Sequence, residues 1–423
     1  MPFVKSYLAK HSLYKAFVTT PPQADLKYIV VIPCYNEDQI IRTLNSLRDA
    51  DRPGQSLEVI IVINASDKDP AEIHARNHTT ENEINQWKDL HTDDRFQVHV
   101  IHLENLPAPK AGAGLARKIG MDEAIRRLNQ LNRTDGWIVS LDADTTVAPD
   151  YFTAIEKTVR NDTRLNAGVV YFEHPLEGVE YDPGIYEAIV KYELFLRYYN
   201  QGLRWAGYPY AFQTIGSAFC VKAEAYVKQG GMNTKRAGED FYFLNKIFQL
   251  GHLQDITGTA VYPSPRPSNR VLFGTGPEMI KWSQNNHQAY PTYTPEVFRI
   301  LKRFMDRSEN FYKAGKDQID QLLAKQEVVM QDFLYGIDFE RELYRINDNC
   351  NSLQSFRKHF FHWFNGLRII RFIHTAHERH LDKVPLDQAA STMLQWMGYT
   401  PPDGYRQLLK FYRKIERTRP LSI

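Results

Sequence analysis

The 423-residue chain sets 52 lysines and arginines against 50 aspartates and glutamates, a formal charge of +2, so no global field selects nucleic acid or an acidic polymer as partner. Its 43% hydrophobic and 13% aromatic content excludes a disordered chain and suffices for two or three packed domains. Cys34, Cys220 and Cys350 are scattered without CxxC or metal-ligand spacing, which argues for reduced thiols in a cytoplasmic setting. The opening "MPFVKSYLAKHSLYKAF" lacks the apolar centre of a secretory signal, and no run approaches the ~18 apolar residues of a spanning helix.

From Lys27, "YIVVIPCYNED" is short and β-branched, predicting strand then loop, and "QIIRTLNSLRDA" has apolar residues at helical spacing. "LEVIIVINAS" reads as a second buried strand, Lys68 to Leu90 as a polar helix, and "RFQVHVIHL" as an alternating third strand. "GAGLARKIGMDEAIRRL" is a glycine loop opening a helix, and "GWIVSLDAD" is a fourth strand. Such alternation predicts an α/β fold, a mostly parallel sheet flanked by helices in the Rossmann manner. Ligands bind such sheets beyond the carboxyl ends of the strands. The loops 33–38, 64–69, 110–114 and 142–144 should therefore converge on one crevice.

Downstream, "RLNAGVVYFEHP" and "TIGSAFCVKAEAYV" predict further strands, separated by the aromatic helix "YEAIVKYELFLRYYNQGLRW". "GEDFYFLNKIFQLGH" precedes a proline and arginine loop, "VYPSPRPSNRVLFGTG". From about Pro277 long charged and aromatic helices take over. The expected organisation is an N-terminal segment 1–26, a sheet domain 27–276 and a C-terminal helical extension 277–423.

Asp142 and Asp144 stand at the mouth of the fourth strand, where alternate side chains can point the same way. Two such carboxylates suit a hard divalent cation completed by substrate phosphates and water. Equally, Asp142 can cap a turn and Asp144 the helix near Pro149. Lys110, Gly112, Gly114, Arg117 and Lys118 cluster at a helix start, where free amides and the dipole favour an anion such as a diphosphate. Lys118 alone reads better as decoration of an exposed helix face.

In order, "VVIPCYNED", "GAGLARKIGMDEA", "VSLDADT" and "GGMNTKRAGEDFYFLNKIFQLG" resemble the nucleotide loop, glycine-rich helix start, metal-binding DxD and late acidic motif of the family 2 glycosyltransferases, which have the GT-A fold. The resemblance covers roughly Tyr28 to Gly276. It implies an enzyme that moves a sugar from a nucleotide-diphosphate donor to a glycan, lipid-linked or small-molecule acceptor hydroxyl. It also implies a divalent metal, Mg²⁺ or Mn²⁺, with Asp144 as direct ligand and Asp142 reaching the ribose or sugar as well. Pro33, Asn36 and Glu37 are expected to line the nucleotide pocket, and Lys110, Gly114 and Arg117 to face the diphosphate. Asp240 matches the catalytic base of inverting members, with Glu239 orienting it, although the two can also cap the helix that follows. Where relatives carry Asp-Asp-Gly-Ser this chain has "INAS", so Asn64 stands where a carboxylate would pair with uracil. An amide offers donor and acceptor, so uridine and guanosine both remain open.

Arg266 and Arg270 in "SPRPSNRVLFGTG" look like a semi-rigid arm for phosphate oxygens. The loop has no histidine, so a third metal ligand is not identifiable. Trp205, Tyr208 and Tyr210 can stack on an acceptor sugar or pack in core. His374, His377 and His380 lack the HExxH order of a zinc protease. "LLKFYRKIERTRP" is basic and amphipathic, suited to an anionic membrane surface, a homodimer contact or an ordinary packed helix with a solvated face. The rival readings are a nucleotidyltransferase, which would want a glycine and arginine rich loop after the first strand, and a non-catalytic nucleotide-sugar-binding protein.

Overall fold

The structure, a computed structural model, describes residues 2–270, 274–284 and 290–423. The elements of the first part are α1 (Pro2–His11), β1 (Tyr28–Cys34), α2 (Ile40–Asp49), β2 (Leu57–Ser66), α3 (Ala71–His91), β3 (Phe96–Leu106), α4 (Ala113–Gln130), β4 (Trp137–Ser140) and β5 (Thr145–Val147). They continue with α5 (Tyr151–Asn161), β6 (Ala167–Phe172), α6 (Pro183–Trp205), β7 (Phe219–Lys222), α7 (Ala223–Lys228), α8 (Glu239–Phe248) and β8 (Leu253–Pro263).

These strands form an eight-stranded sheet in the order β3-β2-β1-β4-β7-β6-β8-β5. The run β3-β2-β1-β4 is parallel, with Tyr28 aligned to Leu57 on one side and Trp137 on the other. β7 runs antiparallel to both β4 and β6, β8 is parallel to β6, and β5 is antiparallel to β8. The chain steps outward from β1 to β2 and β3, then returns to the other side of β1 with β4. That reversal opens a crevice at the carboxyl ends of β1 and β4. The β-branched runs of β1 and β2 are buried almost throughout, as strands covered on both faces must be. β5 and β8 have no counterpart among the predicted elements: β5 is three residues long, and "LQDITGTAVYP" mixes polar residues and a glycine into its apolar pattern.

The chain divides into two compact units. The first holds residues 1–186, 213–281 and 416–423, and the second 187–212 and 282–415. The division thus differs from a single cut at 276. Residues 187–212 group with the C-terminal helices, and the last residues pair with β8, Ile423 and Leu253 exchanging two backbone hydrogen bonds of 2.9 Å. The N-terminal segment belongs to the first unit too. Tyr7 and Lys118 both bond to Asp122 in α4, at 2.7 and 3.1 Å, so Lys118 is buried rather than decorating an exposed helix face.

The second unit is helical, with α9 (Thr275–Gln284) leading into it, followed by α10 (Pro295–Asp306), α11 (Lys316–Ala324), α12 (Val328–Gly336), α13 (Phe339–Asp348), α14 (Leu353–Trp363), α15 (Gly366–Arg379), α16 (Leu386–Trp396) and α17 (Tyr405–Thr418). Phe304 anchors its core against Phe364, with ring centres 5.0 Å apart. Trp205 packs on Trp396, and Tyr208 is buried beside Tyr210 and Phe361, so these rings serve as core. His374, His377 and His380 go to Tyr293, Thr294 and Asp332 separately and do not converge. In α17 Leu408, Leu409, Tyr412 and Ile415 are buried, and Arg406 and Arg413 pair with Glu187 and Glu193 at 2.6 and 2.7 Å. A packed helix describes those residues. Among the described residues no helix is long and apolar enough to cross a membrane.

Arg127 on α4 is fully buried against Glu58 on β2, and its Nη1 also donates to the Thr20 carbonyl at 2.9 Å. Removing one partner of such a pair strands the other charge in the core. Arg127→Ala should therefore lower the unfolding free energy by about 3–5 kcal/mol in a urea titration, and Arg127→Met with Glu58→Met by much less.

Candidate active site

Four loops meet at the carboxyl edge of β1, β2 and β4. Tyr35, after β1, bonds to Asp69, after β2; burial and then that carboxylate push the phenol up to about 12. Asn64 Nδ2 reaches the Gly112 carbonyl at 3.5 Å, which joins β2 to the start of α4. The β4 loop is tied to α4 and to α8 through one side chain, Arg117.

Arg117 is only 4% exposed. One end of its guanidinium bonds to Asp142 and the other to Glu239, while Nε donates to Ser140 Oγ at 3.3 Å. Burial works against the charge, but Asp142, Glu239 and Asp240 hold its pKa well above the usual arginine value. The donors of Arg117, expected to face a diphosphate, go in this structure to Asp142, Glu239 and Ser140. Two glycines make room for the clamp. A Cβ on Gly216 would lie 2.4 Å from Arg117 Nη2, and one on Gly114 would lie 2.1 Å from the Lys235 carbonyl.

Glu37 is buried at the end of β1. Its Oε1 accepts from the backbone of Asp38 and Gln39, at 2.9 and 2.8 Å, at the start of α2. Its Oε2 accepts from Arg266 and Arg270, at 2.6 and 2.7 Å. Burial pushes Glu37 up, yet the two arginines hold it below the ordinary glutamate range. Glu37 therefore anchors the arginine arm. The same arm reaches Asp144, whose Oδ2 lies 3.3 Å from Arg270 and 3.5 Å from Arg266. Val271, Leu272 and Phe273 of the predicted arm lie outside the described residues.

Asp142 and Asp144 keep 35% and 24% of their side chains exposed to the crevice. Burial, Asp142 and Glu37 push Asp144 up to about 6 against the pull of Arg270 and Arg266. Glu239 and Asp240 open α8 after Gly238, a residue in the left-handed conformation. Their place in the first turn suits the helix dipole. Burial and then Glu239 push Asp240 up to about 7 against Arg117, so its carboxyl is poised near neutrality.

The remaining predicted residues are placed as follows. Pro33 is half-buried in β1, and Asn36 is exposed with φ 48°, its N–H donating to Asn77 Oδ1 at 2.9 Å. Asn64 is buried, and its Oδ1 has no hydrogen-bond partner. Lys110 is exposed just ahead of α4. Residues of α3 that the sequence reading passed over also shape this edge: Arg76 Nε and Thr80 Oγ1 donate to the Glu37 carbonyl at 3.1 and 2.7 Å. Their 76, 77, 80 spacing is the one signal, a single polar face on a helix following β2.

Five acidic side chains, Glu37, Asp38, Asp142, Asp144 and Glu239, thus pair with three arginines, and Asp240 lies in the field of Arg117. A carboxyl whose pKa rises on folding binds its proton more tightly in the native state, so stability is fullest below the unfolded pKa near 4 and falls as pH climbs through the folded value. For Asp144 and Asp240 that window runs from about 4 to about 7. In chelator-treated buffer, Asp240→Asn should melt higher than the parent at about pH 8 and no higher at about pH 4. Gly216→Ala should melt lower at both, because its methyl group displaces the Arg117 guanidinium.

Residues 29–218 match the family model described as glycosyl transferase family 2. Among solved structures, the chain is similar to TarS 1-349 of S. aureus in complex with UDP-GlcNAc, at 13% identity and TM-score 0.43, over 76% of this chain and 90% of that one. It is also similar to the mannosyltransferase PcManGT from Pyrobaculum calidifontis in complex with GDP-Man and Mn²⁺, at 15% identity and TM-score 0.36, over 98% and 92% of the two chains. No curated protein matched. The matched residues 29–218 include Glu37, Arg117, Asp142 and Asp144 of the crevice, and Glu239, Asp240, Arg266 and Arg270 follow them in the chain, so the site's first half is what is similar to glycosyl transferase family 2.

Proposed function

We propose that the protein transfers a sugar from a nucleotide-diphosphate donor to an acceptor hydroxyl with inversion, in a cytoplasmic setting. What carries the reading is Asp240: a carboxyl pushed up to about 7, two residues past Gly238 and one buried arginine away from Asp142, which lies within the segment that matches family 2. The three buried unpaired cysteines support the setting.

Asp240 accepts the proton of the acceptor hydroxyl as that oxygen attacks the anomeric carbon. The bond from that carbon to the diphosphate oxygen breaks, and the electron pair leaves with the nucleotide. Attack from the face opposite the leaving group inverts the centre. Glu239, pinned by Arg117, keeps a second negative charge beside Asp240 and so sustains its basicity.

Asp142 and Asp144 fit a divalent ion, Mg²⁺ or Mn²⁺: both are oxygen donors at a crevice, and acidic groups there outnumber the arginines. When bound, such an ion supplies Lewis-acid stabilisation of the departing diphosphate. Arg266 and Arg270 lie against Asp144 and can turn their planar forks to phosphate oxygens. Lys110 and the free amides at the start of α4 around Gly114 form the other wall of the diphosphate site. Asn36 and Pro33 flank the nucleoside. The unpartnered Oδ1 of Asn64 accepts from a base N–H, as both uracil and guanine offer.

Thermal melts with UDP, GDP and dTDP, each with and without Mn²⁺, test the donor. A nucleotide at 100 times its Kd should stabilise by about 2.7 kcal/mol, and the manganese-dependent part should vanish in Asp144→Asn. Asp240→Asn should keep that binding while transfer or donor hydrolysis drops ~10²–10⁴-fold. No shift with any nucleotide would contradict the donor assignment, a shift without any transfer or hydrolysis would favour a non-catalytic protein, and full activity in Asp240→Asn would remove the assigned base.

A further inference from the structure

At the edge of the sheet α3 packs against the edge strand β3, and between them is a cluster that the transfer chemistry does not use. His74, His78 and Glu81 follow one another at helical spacing on α3, and His102 and Glu104 share one face of β3. The ligand atoms of His78, Glu81 and His102 all lie within 4.8 Å of one another. Glu104 Oε1 stands 2.9 Å from His78 Nε2, 3.4 Å from His74 Nδ1 and 3.6 Å from His102 Nε2. His102, 10% exposed, holds Glu81 Oε2 at 2.6 Å through Nδ1, which makes Nδ1 the protonated nitrogen. Its buried Nε2 has no hydrogen-bond partner and stands 3.6 Å from Glu104 Oε1.

We propose that His78, His102 and Glu104 bind a zinc-class transition-metal dication, with Glu81 as the carboxylate that orients His102 and His74 at the rim. Imidazole and carboxylate together select this class over the hard, all-oxygen cations of the crevice. A tetrahedron with bonds of about 2.0 Å sets its ligand atoms about 3.3 Å apart, and the 2.9 and 3.6 Å separations around Glu104 straddle that value. A carboxylate on the far nitrogen of a ligating histidine is the usual outer partner in zinc sites. The ion clips α3 to β3. The opposite face of the same helix holds the β1 loop through Arg76, Asn77 and Thr80, so the clip steadies the nucleoside end of the crevice without entering it.

The test is zinc titration of the chelator-stripped full chain with bound metal counted, repeated with Co²⁺ to read the visible absorption of four-coordinate cobalt. One equivalent should bind and raise the melting temperature. His78 is 56% exposed, so His78→Ala folds normally, and it should abolish the cobalt absorption and weaken zinc by at least ~100-fold. Glu81→Gln should weaken it ~10–100-fold. Asp144→Asn should keep the equivalent, which separates this site from the crevice. In the Asp144→Asn background, zinc binding or four-coordinate cobalt absorption that survives His78→Ala, or absence of stoichiometric binding, would overturn the proposal and leave a set of His–Glu hydrogen bonds.

Discussion

One buried guanidinium organises the crevice. Arg117 rises from α4, and its two ends meet the loop after β4 and the first turn of α8, parts of the chain about as far apart in sequence as Asp142 and Glu239. Because it is buried, its charge is tolerable only beside those carboxylates, and the buried Glu239 in turn is stabilised there by it. The pair of contacts therefore fixes where Asp142 sits relative to Asp240. Packing allows it: Gly216 and Gly114 leave the space that the guanidinium and the Lys235 carbonyl occupy.

A second hub, Glu37, does the same for the arginine arm. It caps the start of α2 with one oxygen and receives Arg266 and Arg270 with the other, which brings both arginines to Asp144. Three guanidiniums among six carboxylates leave negative charge in excess, and burial together with that excess raises the pKa values of Asp144 and Asp240. In this account the excess is what draws a dication to the crevice, and Arg266 and Arg270 are the groups free to exchange carboxylate for phosphate.

Much of this was legible in the residues. The β-branched runs of β1 and β2, the glycine start of α4 and the Asp142–Asp144 pair at a strand end follow from period, turn chemistry and the rule of the switch point. Side-chain partners were not. Spacing puts Arg117 and Lys118 on a helix but does not say which neighbour each will meet, and one turned to the carboxylates while the other went under α1. Glu37 looked like a base-pocket residue because its arginines lie more than two hundred positions away. The short β5 and the polar β8 carry too little periodicity to be seen without their sheet. The histidines of α3 and β3 were not singled out, because nothing local says that the two faces meet.

The most direct measurement of the central claim is the number of protons released when Mn²⁺ binds, read by isothermal titration in two buffers of different ionisation enthalpy near pH 6. Crowded carboxylates that hold a proton in the free protein must give it up to the ion. The account predicts a fractional proton released near pH 6, falling toward zero at about pH 8, with both heat and release lost in Asp142→Asn combined with Asp144→Asn. Manganese binding that releases no proton at either pH, or that persists in the double variant, would contradict it.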